Sequence, residues 1–316
     1  MEKRELGRSG IKVGPFCFGG NVFGWTIDEK QSFDILDAYI DSGLEFIDTA
    51  DVYSKWKPGN KGGESETIIG NWLKQSGKRG QVVIATKVGK PMGEDKKGLS
   101  KAYITKAVED SLMRLKTDYI DLYQSHEDDP NTPLEETLST FTDLIRQGKV
   151  RAIGASNFSP ARLQEALKVS ETNGFARYET LQPEYNLYNR ESYEKEQEPV
   201  CLENNLGVIT FYSLASGFLT GKYRSEADLS KSARGSGVKK YLNDRGFRIL
   251  NALDQVASQY QTTPAAAAIA WVIAHKGITA PIASATSLKQ LKDTTAAVHL
   301  NFDQSAIDLL TEASRY

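Results

Sequence analysis

The sequence predicts an α/β protein folded as a closed (β/α)8 TIM barrel, with an N-terminal β-hairpin plug and long loops at the C-terminal face. Three observations predict it. Eight short β-rich runs alternate with helical patterns along the chain, and strand-then-helix repetition calls for parallel pairing with crossover helices. Eight such units can close on themselves. The doubly wound alternative usually announces itself by G-x-G-x-x-G after an early strand, and Gly19-Gly20 lacks the rest of that pattern.

The elements follow in order. Between Lys3 and Lys12 a Gly-Arg-Ser-Gly turn separates two β-like runs, which reads as a hairpin at one barrel end. The barrel strands are expected at residues 13–19, 44–48, 82–87, 119–124, 150–154, 180–182, 207–211 and 278–283. Helical spacing of apolar residues appears at Phe33, Leu36 and Ile40, then over residues 64–73 and 103–115. Thr132-Pro133-Leu134-Glu135 reads as a capping box with proline at the first helical position, opening a helix to about Arg146. Ser159-Pro160, Thr263-Pro264 and Ser287-Leu288-Lys289-Gln290 are further helix starts. Three connections, 50–63, 126–132 and 212–244, are too long for simple turns. All three follow the C-terminal end of an expected strand, the face where barrels carry their sites.

Composition bounds the function. The 316 residues fit one barrel domain spanning 1–316, since α/β barrels routinely use this length. Net charge is −2, so nucleic acid is a poor default partner. Cys17 and Cys201 are too few for a disulfide scaffold and read as reduced thiols of a cytoplasmic protein. The N-terminus is polar, without an apolar leader, and the most apolar stretch, 265–274, is half the length of a membrane span. We therefore expect a protein without a membrane partner; monomer and homo-oligomer stay open.

In a barrel the first polar residues past the strand ends face a common centre. They are Asp48, Lys87, His126, Ser156 with Asn157, Gln182 and the aromatic pair Phe211-Tyr212, while Tyr53 stands five residues beyond Asp48. Singly, each is an ordinary turn, surface or packing residue. Polar or aromatic residues at six of eight strand ends describe a lined pocket. A lysine entering the mouth must be paired, and Asp48 is the available neighbour. An ammonium near Tyr53 is expected to lower its pKa and suit it to acid–base work. His126 can donate a hydrogen bond to a substrate oxygen. The quartet suits proton transfer to a carbonyl oxygen. The chain shows no metal-ligand cluster and no redox group of its own, so a hydride would come from a bound cofactor. Chemistry alone also allows Lys87 as a Schiff-base nucleophile.

Several segments carry a resemblance over nearly the whole chain. They are Arg4-Glu5-Leu6-Gly7-Arg8-Ser9-Gly10, Asp48-Thr49-Ala50-Asp51-Val52-Tyr53, Gly63-Glu64-Ser65-Glu66, Ala85-Thr86-Lys87, Asp118 through His126, Gly154-Ala155-Ser156-Asn157-Phe158, Leu181 through Asn186, and Leu214 through Tyr223. In this order they resemble the aldo-keto reductase family, in its bacterial branch related to potassium-channel β subunits. The resemblance implies reduction of aldehydes and ketones with a nicotinamide cofactor, mostly NADPH. It implies Tyr53 as general acid, Lys87 and Asp48 as its tuning pair, and His126 as the residue orienting the carbonyl. Ser156, Asn157 and Gln182 match positions that hold the nicotinamide carboxamide. Phe211 matches a ring-stacking aromatic, with Tyr212 as a rival because the chain reads Phe211-Tyr212-Ser213-Leu214. Further cofactor contacts are implied at Gly20, Asn21, Ser213, Leu214, Ser216, Gly217, Leu219, Lys222, Ser284, Thr286, Gln290, Asp293 and Thr294. Phe23, Trp25 and Trp56 are candidates for the substrate-pocket wall.

Two departures bear on the cofactor. The family commonly has Arg at Thr286, and another branch Lys at Ser284, to grip the 2′-phosphate; this chain has neither. Lys289, Gln290 and Lys292 lie near enough in sequence to substitute, so NADPH stays first, with NADH open. The loop 217–246 carries seven Lys and Arg against three acids, a balance of +4, and reads as a flap over the cofactor pyrophosphate. A second functional reading is a nicotinamide-binding redox sensor, or a partner protein like the channel β subunits, with little turnover.

Overall fold

The computed structural model describes residues 2–232 and 234–316. Two short strands, β1 (Arg4–Glu5) and β2 (Lys12–Val13), pair antiparallel with Arg4 opposite Val13. Eight parallel strands then close a barrel in the order β10-β3-β4-β5-β6-β7-β8-β9. They are β3 (Cys17–Gly19), β4 (Phe46–Asp48), β5 (Val83–Val88), β6 (Ile120–Ser125), β7 (Val150–Ser156), β8 (Tyr178–Gln182), β9 (Gly207–Thr210) and β10 (Ile278–Ala283). All eight expected runs are strands. The first begins at Cys17 rather than Val13, because Val13 belongs to the hairpin. Gly14 gives its N–H to Glu45 Oε1 at 3.1 Å, and Pro15 has no N–H to give a ladder.

Ten α-helices are present among the described residues: α1 (Glu29–Asp41), α2 (Glu64–Ser76), α3 (Lys101–Leu115), α4 (Leu134–Arg146), α5 (Pro160–Asn173), α6 (Glu198–Glu203), α7 (Asp244–Gln259), α8 (Pro264–Ala274), α9 (Leu288–Thr295) and α10 (Gln304–Ala313). Of these, α7 and α10 stand outside the eight strand–helix units and pack on each other. The side chains of Ser159, Thr263 and Ser287 each accept an N–H of the following turn, as the sequence predicts for helix starts. The capping box at Thr132 does not form. Pro133 itself is the N-cap of α4, and Thr132 Oγ1 donates instead to Asp129 Oδ2 at 2.7 Å.

The apolar side chains divide into two layers, as a barrel requires. An outer layer fills the space between strands and helices; Ile47, Ile84, Tyr123, Ile153 and Leu181 belong to it. An inner cluster fills the barrel with Cys17, Phe46, Ala85, Leu122, Ala152, Ile209, Ala280 and Ile282. Leu6, Ile11 and Val13 of the hairpin join the inner cluster, so the hairpin plugs the N-terminal end. Strand side chains alternate between faces. Two residues beyond inward-facing Phe46, Ala85 and Leu122 come Asp48, Lys87 and Gln124, and this period of two aims three polar side chains into the C-terminal end.

Gly154 marks the tightest point there. A Cβ at this position would lie 2.1 Å from Thr180 Oγ1 and 3.2 Å from Gln124 Cγ. Gly154→Ala is therefore expected to cost about 1–3 kcal/mol by overpacking, read as a lower urea midpoint with an unchanged slope.

Candidate active site

The mouth of the barrel is built around one buried ammonium. Lys87 is 0% exposed, and its three donors all find acceptors. Nζ lies 2.6 Å from Asp48 Oδ2, 2.8 Å from the Thr49 carbonyl and 2.8 Å from Tyr53 Oη. This accounts for every N–H of the group, which is what makes such burial tolerable. Asp48 is also buried. Its Oδ2 accepts from Tyr53 Oη at 3.3 Å, and its Oδ1 accepts from Gln182 Nε2 at 2.9 Å and Gln124 Nε2 at 3.4 Å. Tyr53 reaches this centre because β4 ends at Asp48 and the following loop folds back; the Asp51 N–H donates to the Lys87 carbonyl at 3.2 Å. His126 follows β6 with its ring centroid 5.9 Å from that of Tyr53. The four residues of the expected quartet thus converge.

The electrostatics correct one expectation. Tyr53 is not drawn toward neutrality. Burial, and then the adjoining Asp48 carboxylate, push its hydroxyl well above the ordinary phenol range. Desolvation lowers Lys87, with Asp48 opposing. Burial, with the Lys87 and Lys90 charges, pushes His126 well below the usual imidazole range. At neutral pH the mouth therefore presents a protonated phenol fixed by an ammonium, beside a neutral imidazole with one N–H to donate. This arrangement can hand a proton to an oxygen that becomes basic.

Next to the quartet, Ser156, Asn157 and Gln182 form one hydrogen-bonded group. Ser156 Oγ donates to the Gln182 carbonyl at 3.0 Å. Asn157, held at φ 57°, donates through Nδ2 to the His126 carbonyl at 2.8 Å and to Ser156 Oγ at 3.1 Å. With both amide nitrogens committed, the Asn157 and Gln182 amide oxygens remain as acceptors, which fits the NH2 of a carboxamide. Phe211 packs on the inner barrel cluster and lines one cavity with Asn157 and Pro183. Tyr212, at φ 54° and 50% exposed, stands outside it. The two rings meet edge-on at 5.3 Å.

Residues after β9 and β10 form the rest of the mouth. Ser213 is buried with its hydroxyl on Thr210, and Leu219 is buried, so these two can offer backbone groups only. Ser216 and Gly217 both take positive φ inside a turn of 3-10 helix at Ala215–Thr220, and the Lys222 ammonium lies over Gly217. Gly20 is buried, and its carbonyl accepts from Ser65 Oγ at 2.8 Å. Gln290 Oε1 accepts from the Thr286 N–H at 2.9 Å and from its hydroxyl at 3.0 Å. Asp293 pairs with Lys289 at 2.8 Å. Thr294 is buried, with its hydroxyl on the Gln290 and Leu291 carbonyls, and presents no spare donor.

The basic loop is less free than its charge suggests. Arg224 pairs with Asp254, Lys231 with Asp228 and Lys239 with Glu226. Arg245 donates to the Ser314 carbonyl. Arg234 differs. Its guanidinium lies 5.1 Å from the centroid of the Trp25 ring and has no carboxylate partner among the described residues. With the Asn21 amide oriented to satisfy its neighbours, Asn21 accepts from Arg234 Nη2 at 2.8 Å and donates to Ser284 Oγ at 2.6 Å. The loop after β9 is thereby joined to those after β3 and β10. Burial lowers the pKa of Arg234, opposed by Tyr212, Tyr53 and Tyr223; a guanidinium nevertheless keeps its charge.

Of the expected pocket wall, Trp25 and Trp56 meet edge-on at 5.5 Å, and Trp56 lies 5.9 Å from the Tyr53 ring. Phe23 does not belong to the wall. It is fully buried and stacks on Phe18 at 5.4 Å, in the layer behind the barrel. Gln124 is not among the residues the sequence marks for the site, although the period of two along β6 points to it. Arg234 is marked only as one of the seven basic residues of the loop 217–246.

This fold and this convergence describe a barrel oxidoreductase, and sequence comparison agrees. The profile of the aldo/keto reductase family matches residues 15–315. The chain belongs to the aldo/keto reductase family. It is 37% identical to "Uncharacterized oxidoreductase YrpG" of Bacillus subtilis, over 99% of this chain and 95% of that protein. It is 34% identical to "Probable voltage-gated potassium channel subunit beta" of Arabidopsis thaliana, over 94% and 91%. It is also 34% identical to "Aldo-keto reductase YhdN" of Bacillus subtilis, over 88% and 82%. The chain is thus an oxidoreductase of a family that reduces carbonyl groups with nicotinamide cofactors. No helix among the described residues is long and apolar enough to cross a membrane.

Proposed function

We propose that this protein reduces an aldehyde or ketone to the alcohol, with Tyr53 giving the proton to the carbonyl oxygen. The observation that carries this reading is the fully satisfied Lys87 ammonium, which holds the Tyr53 hydroxyl at 2.8 Å. Lys87 stabilises the phenolate left when the proton moves, and Asp48 fixes Lys87. His126, neutral, donates to the same carbonyl oxygen and orients it. A nicotinamide cofactor supplies the hydride when bound. Asn157 and Gln182 would hold its carboxamide through their free amide oxygens, with Ser156 bonded to both residues, and Phe211 would face its ring. Tyr212, Trp25 and Trp56 wall the substrate side.

Lys222, Arg234 and the turn at Ala215–Thr220 would hold the pyrophosphate. Arg234→Ala should weaken cofactor binding about tenfold or more, the loss of a charge-assisted hydrogen bond, measured by quenching of protein fluorescence on titration. No Arg or Lys stands at Ser284 or Thr286, and Lys289 is already paired with Asp293. NADPH and NADH are therefore expected to bind within about tenfold of each other.

The direct test is consumption of NADPH, and separately NADH, with a panel of aldehydes and ketones. Turnover supports the reductase. Tight cofactor binding without turnover would favour the sensor reading, to which the likeness to channel β subunits points. Borohydride trapping of a carbonyl compound on Lys87 would favour a Schiff-base enzyme; three occupied donors and a charged lysine speak against that.

A further inference from the structure

One fully buried amide at the mouth has no part in the proton or hydride transfer. Gln124 on β6 is closed off from solvent, and its side chain bonds to two residues among those described. Nε2 donates to Asp48 Oδ1 at 3.4 Å, and Oε1 accepts from Gln182 Nε2 at 3.4 Å. Each bond is long, so neither is strong alone. They close a triangle, because Gln182 Nε2 also donates to Asp48 Oδ1 at 2.9 Å. Burying an amide is costly, and an apolar side chain would fill the same space without that cost. The backbone is shaped to admit the triangle. Gln124 stands opposite Gly154 on β7, and Gln182 on β8 stands opposite Ser156, so β7 runs between the two glutamines. A Cβ on Gly154 would lie 3.2 Å from Gln124 Cγ and 3.4 Å from its Oε1. The missing side chain leaves Gln124 room to lean across β7.

Counting donors and acceptors fixes every orientation. The Asp48 carboxylate accepts only, so both amides turn their nitrogens toward it. Gln182 Nε2 has two N–H groups and meets two acceptors, Asp48 Oδ1 and Gln124 Oε1. With both committed, Gln182 offers its amide oxygen alone to a ligand. Asp48 in turn receives Lys87 and Tyr53 on one oxygen and the two amides on the other. We propose that Gln124 is a positioning residue that clamps Gln182 to Asp48. The residue that would hold the nicotinamide carboxamide and the residue that fixes the Lys87–Tyr53 pair are then set by one amide. Gln124 acts through these two and touches neither cofactor nor substrate. The inference rests on the reductase reading, in which Gln182 accepts from the carboxamide.

The test is calorimetric titration with NADPH and with 2′-phospho-ADP-ribose, which is NADPH without its nicotinamide; it needs no turnover. Gln124→Met keeps the bulk and drops the amide. It should weaken NADPH about three- to tenfold, the loss of one hydrogen bond, and leave the fragment unchanged. Gln182→Met should show the same split, and the double variant should lose no more than Gln182→Met alone, because the two act as a unit. NADPH affinity equal to wild type would overturn the clamp. Equal losses for NADPH and the fragment would also overturn it, since they would mark a merely structural amide. If Gln124→Met does not fold, Gln124→Glu takes its place. As a neutral acid it offers an O–H to Asp48 and a carbonyl to Gln182; ionised, it sets a like charge against Asp48. Its preference for NADPH over the fragment should fall as pH rises, and a preference equal to wild type at every pH would overturn the clamp. Wild-type protein that binds no NADPH would overturn the reductase reading and this inference with it, whereas an unmoved split in variants of a protein that binds NADPH overturns this inference alone.

Discussion

Tyr53→Phe is expected to lower kcat by about 10²–10⁴-fold, the range for loss of a positioned general acid, while leaving the dissociation constant for NADPH unchanged. The ring stays, so its contacts with Trp56 and His126 survive. What is lost is one hydroxyl, the acceptor of one of the three Lys87 N–H groups. Single-turnover kinetics separate the two quantities. Turnover within a few-fold of wild type would end the role given to Tyr53. The pH dependence has a definite sign. Because the hydroxyl is pushed above the ordinary phenol range, Tyr53 keeps its proton throughout the neutral range and sets no alkaline limb there. An alkaline limb below the ordinary lysine range belongs to Lys87, whose pKa desolvation lowers, against Asp48.

Lys87→Met should abolish turnover to at least the same degree and, unlike Tyr53→Phe, destabilise the fold. It leaves Asp48, 1% exposed, with donors only from Gln124, Gln182 and Tyr53. Breaking a buried pair by removing one partner costs about 3–5 kcal/mol, read from urea unfolding. The double variant Lys87→Met/Asp48→Asn removes both charges and should recover much of that stability without recovering activity. A single variant as stable as wild type would mean that the pair is not held dry. Recovery of turnover in the double variant would mean that Lys87 does not act on Tyr53.

Much of this site is legible before folding. Asp48 and Lys87 are found by position alone, because each sits at an expected strand end and side chains alternate along a strand. Asn157 and Gln182 follow by the same logic. The errors have physical causes. Phe23 lies on a site-face loop in sequence, yet its ring turns back to Phe18; loop residues carry no periodicity that tells inside from outside. Thr132 looks like a cap, but Asp129 competes for its hydroxyl. The basic loop looks free, but Asp254, outside the loop, takes one of its cations.

The barrel, its hairpin and the residue types at its mouth can be read along the chain, because periodicity and turn chemistry are local properties written within each segment. The chain alone does not determine which charges are paired or which protons stay. A tyrosine beside a lysine was expected to lose its proton more easily, whereas burial and Asp48 make it hold on harder. Arg234 meets Asn21 across more than two hundred residues, and Arg114 on α3 reaches Glu66 on α2. Desolvation and pairing depend on what surrounds a group in three dimensions, so they emerge only once the segments have packed.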